Sequence, residues 1–113
     1  SYSGRWDILN AVNRISSDLK NGKISKSELN EEMFSGYLVT DSIPDPDLMI
    51  RTGGDYRISN FLLWESAYAE FYFDKTFWPE FRREHLYAAI REFQHRERRF
   101  GMTTKQIQRK KKA

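Results

Sequence analysis

The sequence predicts an α/β fold in which helices flank a mostly parallel sheet. Two observations predict this class. Apolar residues recur at helical spacing near both ends of the chain, and two short apolar segments with the character of strands lie between them. The 113 residues are 39% hydrophobic and 15% aromatic, which is enough for a packed core in one small domain.

The first half of the chain carries two helical patterns. The first is an apolar stripe that ends before Gly22: Ile8, Val12, Ile15 and Leu19. Ser25 stands three residues before Glu28, a capping-box pattern that predicts a second helix with one apolar face, formed by Leu29, Met33 and Tyr37. The prolines of "IPDPD" then predict a turn-rich break.

The second half carries two strand patterns and one further long helix. "DLMIR" predicts a buried strand that ends at Arg51, and "YAEFYF" predicts a second strand that contains Glu70. Ser59 is expected to cap a short helix through "NFLLWES". The last helix is predicted by a stripe that fades near Arg99: Leu86, Ala89, Ile90 and Phe93. Four aromatic residues are expected to fill core: Trp64, Phe77, Trp78 and Phe81.

Composition narrows the class of protein. The chain has no cysteine, so disulfides and thiolate metal sites are excluded. Without a bilayer-length apolar run, a soluble intracellular protein is expected. Residues 91–113 carry nine basic against two acidic residues, a balance of +7, whereas the rest of the chain balances at −4. This basic end is typical of a solvated tail, with contact to nucleic acid or to an anionic membrane as the alternatives.

The segment "RTGGDYRIS" has the composition of an anion-binding loop. Arg51 stands at the end of a predicted strand, where α/β sheets bind ligands. Gly53 and Gly54 allow positive φ and leave amides free to point at an anion, while Arg57 and Ser59 add a guanidinium and a hydroxyl. This set suits a diphosphate. The alternative is a tight turn whose arginines pair with nearby aspartates: Asp45, Asp47 or Asp55.

Glu70 is a carboxylate among aromatic residues, and two interpretations are open. A buried carboxylate is usually paired, so an ion pair with an arginine is the simpler one. The other is a ligand of Mg²⁺, which commonly takes one or two carboxylates together with phosphate oxygens of a substrate.

The segment from Pro46 to Phe81, "PDLMIRTGGDYRISNFLLWESAYAEFYFDKTFWPEF", closely resembles the signature of the cis-prenyltransferases, and in particular of the bacterial undecaprenyl diphosphate synthase branch. "SYSGRWDI" at the start and "RERRFG" at 96–101 are similar to two further elements of that family. Ser1, Ser3 and Asp55 depart from its usual Asn, Gly and Glu.

The resemblance implies an enzyme that adds isopentenyl diphosphate units in cis to farnesyl diphosphate, making a long polyprenyl diphosphate for bacterial cell-wall synthesis. Position by position, it implies that Arg51, Arg57, Ile58 and Ser59 bind isopentenyl diphosphate and that Glu70 binds Mg²⁺. It also implies a cytoplasmic homodimer in which Arg99 and Gly101 reach the partner's site.

Residues 1–101 are accordingly expected to be the C-terminal part of one cis-prenyltransferase domain, and residues 102–113 a basic disordered tail. Two strands bury too little to stand alone, and the family's catalytic aspartate would lie in an N-terminal part that this sequence lacks. The chain alone is therefore expected to be inactive. Two rival hypotheses are a non-catalytic subunit of a heteromeric cis-prenyltransferase and a nucleic-acid-binding domain. The intact positions of the site argue against the first, and basic residues that lie beyond the last helix argue against the second.

Overall fold

The computed structural model describes residues 2–96 and 103–112, and the α/β class is confirmed. The α-helices within these described residues are α1 (Gly4–Lys20), α2 (Glu31–Ser35), α3 (Arg83–His95) and α4 (Thr104–Lys112). The strands β1 (Leu48–Arg51) and β2 (Glu70–Phe73) pair in parallel, with Leu48 opposite Glu70 and Arg51 opposite Phe73. The chain forms two compact units. The first combines the chain up to Asp45 with Ile58–Trp64, and the second combines Pro46–Arg57 with the chain from Glu65 onward.

In the first unit, α1 begins at a Ser3 cap whose Oγ accepts the Trp6 amide at 3.1 Å. The buried face of α1 is rotated from the predicted stripe and consists of Gly4, Asp7, Ala11 and Ile15. Val12 is 44% exposed. Asp7 explains the rotation, because its carboxylate turns inward and accepts the Val39 amide at 3.1 Å.

The predicted second helix is divided in two. The capping box is present, with the Ser25 amide donating to Glu28 Oε1 at 3.0 Å, but it starts a single 3₁₀ turn, Lys26–Glu28. A second cap follows at once: Asn30 Oδ1 accepts the Met33 amide at 2.8 Å and begins α2. Local capping by Asn30 therefore restarts the helix that the apolar spacing predicted as continuous.

The short helix expected after Ser59 is absent, because turns occupy this segment. Ser59, Asn60 and Leu62 have positive φ values of 55°, 61° and 47°. Asn60 instead serves α1: its carbonyl accepts the Gly4 amide at 2.7 Å and its Oδ1 accepts the Arg5 amide at 2.9 Å. These two bonds satisfy helix N-terminal amides that otherwise lack partners.

In the second unit, both strands and α3 lie where the sequence predicts them. Two of the four aromatic residues assigned to core are exposed instead, Phe77 by 67% and Trp78 by 72%.

Residues 102–113 were expected to be disordered, whereas α4 covers Thr104–Lys112. The Thr103 amide donates to Gln106 Oε1 at 2.8 Å and the Gln106 amide to Thr103 Oγ1 at 3.2 Å, a reciprocal cap on a segment rich in helix-forming Lys and Gln. Among the described residues, no helix combines the length and the apolarity needed to cross a membrane.

Candidate functional site

Arg51 is the last residue of β1, and it points its guanidinium into the loop that follows. Its Nη2 lies 3.1 Å from Asp55 Oδ2, and its Nη1 donates to the Arg57 carbonyl at 2.7 Å. Arg57 Nη2 lies 3.7 Å from the other oxygen of the same carboxylate. The loop therefore gathers two guanidinium groups around one anion, the side chain of Asp55.

The two arginines differ in exposure. The Arg51 side chain is 30% exposed, while that of Arg57 is 74% exposed. Arg51 is held at both ends of its guanidinium, by a carboxylate and by a backbone carbonyl, so its position is largely fixed by the loop. Arg57 has a long and loose contact to Asp55. A negatively charged ligand can therefore bind the Arg57 guanidinium with little loss of folding free energy.

Gly53 and Gly54 adopt the positive φ that the sequence predicts, 86° and 83°. The expectation that their amides point freely at an anion is wrong. The Gly53 amide donates to the Thr76 carbonyl at 3.0 Å and the Gly54 amide to the Asp74 carbonyl at 3.1 Å. The turn directs both N–H groups toward the loop after β2, so the glycines shape the site rather than bind its ligand.

The loop after β2 is itself held by a carboxylate. Asp74 Oδ1 accepts the Thr76 amide at 2.7 Å, and this backbone hydrogen bond is the main reason why the pKa of Asp74 lies below its usual value. Asp74 and Thr76 also provide the carbonyls that accept the glycine amides. Asp74 therefore indirectly stabilises the loop of residues 51–57, the arginine loop. The Tyr56 ring adds a contact to this framework, 5.2 Å from the Phe73 ring.

Ile58 and Ser59 follow Arg57 directly in sequence and belong to the first compact unit. Both are exposed, Ile58 by 37%, and Ser59 has the left-handed φ of 55°. Arg51, Arg57 and Glu70 belong to the second unit. Arg99 and Gly101 lie outside the described residues.

Glu70 begins β2 and is 24% exposed. Its Oε2 lies 3.5 Å from Nη1 of Arg96, so the predicted ion pair with an arginine is present. Arg96 also donates to the Phe71 carbonyl and, from Nη2, to Glu92 Oε1 at 2.6 Å. The hydrogen bond to Glu92 is the main cause of a raised Arg96 pKa.

Within the part of the chain that the structure describes, three or more metal-binding side chains nowhere gather into one group. A single carboxylate such as Glu70 is nevertheless compatible with Mg²⁺, which keeps several waters and takes its other ligands from substrate phosphates. The donor chemistry at Glu70 therefore fits this cation and fits a structural zinc site poorly.

An apolar cavity of about 410 Å³ lies on the face of β1 opposite to the Arg51 side chain. Ile50 lines it, and because successive strand residues point to opposite faces, Arg51 points away from it. Most of its other walls come from the segment before α3 and from α3 itself: Trp78, Phe81, Arg82, Arg83 and Leu86. Thr52, the first residue of the loop after Arg51, also lines the cavity, whereas Arg51 and Arg57 do not.

The sequence predicted both arginines and Glu70, and it offered Asp55 as one of three possible partners of the arginines. It did not identify Arg96 as the arginine that pairs with Glu70. The i, i+4 spacing of Arg51 to Asp55 and of Glu92 to Arg96 was a usable signal for two of the ion pairs. The contact of Arg96 with Glu70 joins residues 26 positions apart, and spacing along the chain gives no sign of it.

Comparison with known proteins gives consistent results. Residues 1–101 match the prenyltransferase family described as "Putative undecaprenyl diphosphate synthase". The isoprenyl transferase of Chlorobaculum tepidum is 56% identical over 107 residues, which are 95% of this chain and 40% of that protein. The chain thus spans about two fifths of the length of this curated relative.

Two solved structures extend the likeness to the fold. Lavandulyl diphosphate synthase from Lavandula x intermedia, in complex with dimethylallyl diphosphate, superposes with a TM-score of 0.83 at 36% identity, over 88% of this chain and 43% of that one. A structure described as a probable undecaprenyl diphosphate synthase from Campylobacter jejuni gives a TM-score of 0.71 at 42% identity, over 89% and 44%.

Proposed function

Because the chain belongs to the undecaprenyl diphosphate synthase family of prenyltransferases, we propose that it forms the isopentenyl diphosphate half of a cis-prenyltransferase active site. One observation carries the proposal: the guanidinium groups of Arg51 and Arg57 converge on a single carboxylate, that of Asp55. Two permanent cations on one anion make a site that a diphosphate can enter by taking the place of Asp55.

The substrates follow from the family. We infer that farnesyl diphosphate is extended by successive isopentenyl diphosphate units, with each new double bond in cis. The product would be a long polyprenyl diphosphate, the undecaprenyl carrier precursor of bacterial cell-wall synthesis. The name of the matching family and the relatives named isoprenyl transferase support this assignment.

In this mechanism the arginine loop binds and orients. Arg51 and Arg57 hold the diphosphate of isopentenyl diphosphate, the Ser59 hydroxyl adds a hydrogen bond, and Ile58 lies against the hydrocarbon. Fixing the diphosphate aligns the alkene with the allylic carbon of the second substrate, which lowers the entropic part of the barrier. The new carbon–carbon bond forms as the allylic diphosphate leaves with its bonding electrons, and a proton is then lost from the isopentenyl unit.

Glu70 is the residue of this chain that would hold Mg²⁺. When bound, the cation would neutralise negative charge on diphosphate oxygens. The family's aspartate for the allylic diphosphate has no counterpart among the matching motifs of this sequence. The chain alone is therefore proposed to bind isopentenyl diphosphate without turning it over.

The family also leads to a proposal of a cytoplasmic homodimer in which Arg99 and Gly101 of one subunit complete the site of the other. Mixed dimers of a full-length chimera, in which this chain replaces the matching segment of the Chlorobaculum tepidum relative, test this: one subunit carries Arg99→Ala and the other carries Arg57→Ala. If Arg99 serves the partner, both lesions fall on one site and about half of the activity persists. If Arg99 serves its own subunit, both sites are damaged and the mixed dimer is nearly inactive.

A peripheral contact with the inner face of the membrane is proposed for the basic end. Helix α4 exposes Lys105, Arg109 and Lys110, and a polybasic segment gains about 1 kcal/mol per basic residue at an anionic surface. Removal of residues 105–113 from the full-length chimera is expected to weaken its sedimentation with phosphatidylglycerol vesicles and to leave its turnover of short soluble substrates intact. Equal sedimentation of both forms would reject the contact.

The proposed activity is tested with a chimera in which this chain replaces the matching segment of the Chlorobaculum tepidum relative. The chimera is expected to make polyprenyl diphosphate from farnesyl and isopentenyl diphosphates, while the 113-residue chain alone binds isopentenyl diphosphate but makes none. A chimera that folds, binds both substrates and forms no product would reject the proposal.

A nucleic acid is not an expected partner, and binding of random DNA that survives about 0.2 M salt would contradict that expectation.

A further inference from the structure

Arg96 binds two carboxylates at once, and the two contacts are unequal. Its Nη2 lies 2.6 Å from Glu92 Oε1, whereas its Nη1 lies 3.5 Å from Glu70 Oε2. The Phe71 carbonyl accepts a third bond from the same guanidinium. Arg96 is therefore fixed between α3 and β2, and its closer ionic partner is Glu92.

The closer partner of Arg96 is also the more exposed of the two carboxylates. Arg96 and Glu70 are 29% and 24% exposed, while Glu92 is 52% exposed. A cation near Glu70 would be attracted by its carboxylate and repelled by the guanidinium beside it. With Glu92 included, two negative charges surround one positive charge, so the cluster keeps a net charge of −1.

We propose that Glu92 is a positioning residue that sets the cation affinity of Glu70 by neutralising Arg96. The inference rests on the proposed metal role of Glu70 and deepens it. Glu92 holds the Arg96 guanidinium close to α3. Arg96 therefore orients the Glu70 carboxylate through a long contact and leaves its oxygens accessible to a cation. Without Glu92, Arg96 is left with Glu70 as its one carboxylate partner among the described residues and competes directly with the metal.

The test is a set of charge-removing variants in the chimera and in the full 113-residue chain. Mn²⁺ affinity is measured by electron paramagnetic resonance in the presence of inorganic pyrophosphate, with circular dichroism as the check on folding. Glu92→Gln is expected to raise the Mn²⁺ dissociation constant about two- to fivefold, the upper part of the range that corresponds to one partly exposed ion pair. Glu84→Gln is the matched control, because Glu84 is an exposed glutamate on the same helix that the structure does not pair with Arg96.

The decisive comparison measures Glu92→Gln in a protein that already carries Arg96→Gln. If Glu92 acts through Arg96, Glu92→Gln has no further effect on Mn²⁺ affinity once Arg96 is Gln. Should Arg96→Gln fail to fold, Arg96→Lys replaces it, and the effect of Glu92→Gln is expected to shrink because lysine cannot bond both carboxylates and the carbonyl in the same geometry.

The outcomes separate this inference from the function on which it rests. Unchanged Mn²⁺ affinity in Glu70→Gln would overturn the metal role of Glu70 and the inference with it. A loss in Glu70→Gln combined with equal values for Glu92→Gln and Glu84→Gln would overturn the inference alone. The inference alone is also overturned if Glu92→Gln weakens Mn²⁺ binding equally with and without Arg96.

Discussion

Arg51 donates a hydrogen bond of 2.7 Å from its Nη1 to the backbone carbonyl of Arg57. One arginine of the proposed diphosphate site thus shapes the loop that presents the other. Arg51 therefore has a structural role beside its proposed ligand-binding role, whereas for Arg57, with its side chain 74% exposed, only the ligand-binding role is proposed.

Conservative substitution should separate these roles. Arg51→Lys removes one of two directed bonds, because a lysine ammonium cannot reach Asp55 and the Arg57 carbonyl in the fork geometry of a guanidinium. It is expected to lower the free energy of unfolding by about 1 kcal/mol and to weaken pyrophosphate binding. Arg57→Lys should weaken binding with no change in stability. Urea unfolding and calorimetry on both variants provide the measurement, and equal stability of the two would contradict the shaping role of Arg51.

The turn at Gly53 and Gly54 is expected to need glycine because of its backbone conformation and not because a side chain would lack space. A Cβ at Gly54 would meet no atom within 4 Å, yet its φ of 83° is unfavourable for an L-residue. Gly54→Ala should therefore cost about 1–2 kcal/mol of stability, and Gly54→Asn should cost less because asparagine tolerates left-handed backbone. Thermal unfolding measures the difference, and an alanine variant as stable as the wild type would contradict the argument.

Asp74 gives a pH-dependent prediction. Its pKa is lowered in the folded protein below the usual 3.8, so folding favours the carboxylate form. The stability that results is present above about pH 4, where the unfolded chain is also deprotonated, and is lost as the pH falls through the folded-state pKa. Asp74→Asn should lack this step, which begins below about pH 4. Denaturant midpoints across this range test the prediction, and parallel curves for both proteins would contradict it.

Asn60 is expected to stabilise α1 from outside the helix. Asn60→Ala removes the hydrogen bond that the Arg5 amide donates to Oδ1 and places alanine at a φ of 61°, so we expect the free energy of unfolding to fall by about 1–2 kcal/mol. Asn60→Asp keeps an acceptor and should lose less. Amide hydrogen exchange at Gly4 and Arg5 locates the effect, and unchanged protection there in Asn60→Ala would show that the cap is unimportant.

Local patterns predicted most of the fold. Both strands and α3 follow from apolar periodicity, and the cap of Ser25 follows from its spacing to Glu28. The errors have tertiary causes. Asn60 binds the start of α1, a partner 55 residues away, and this contact displaces the helix expected after Ser59. The amides of Gly53 and Gly54 are taken by the loop after β2, so the free amides expected of the glycine turn are not present.

The candidate site was predictable in its composition and not in its arrangement. Two arginines at a strand end and one carboxylate in the neighbouring strand could be found from sequence. Asp55 was among three candidate partners of the arginines, and only the structure shows that it binds both. The link from Glu70 through Arg96 to Glu92 requires β2 to lie against the end of α3, which no local pattern encodes.

Binding of isopentenyl diphosphate by the arginine loop can be measured through substrate-specific kinetics of Arg57→Ala in the chimera. Loss of one charge-assisted contact should cost about 1.5–3 kcal/mol, a rise of roughly 10- to 150-fold in KM for isopentenyl diphosphate. KM for farnesyl diphosphate should stay unchanged, as should both values in Arg91→Ala, which removes an exposed arginine of α3. Equal rises for both substrates, or values for Arg57→Ala that match those of Arg91→Ala, would contradict the account.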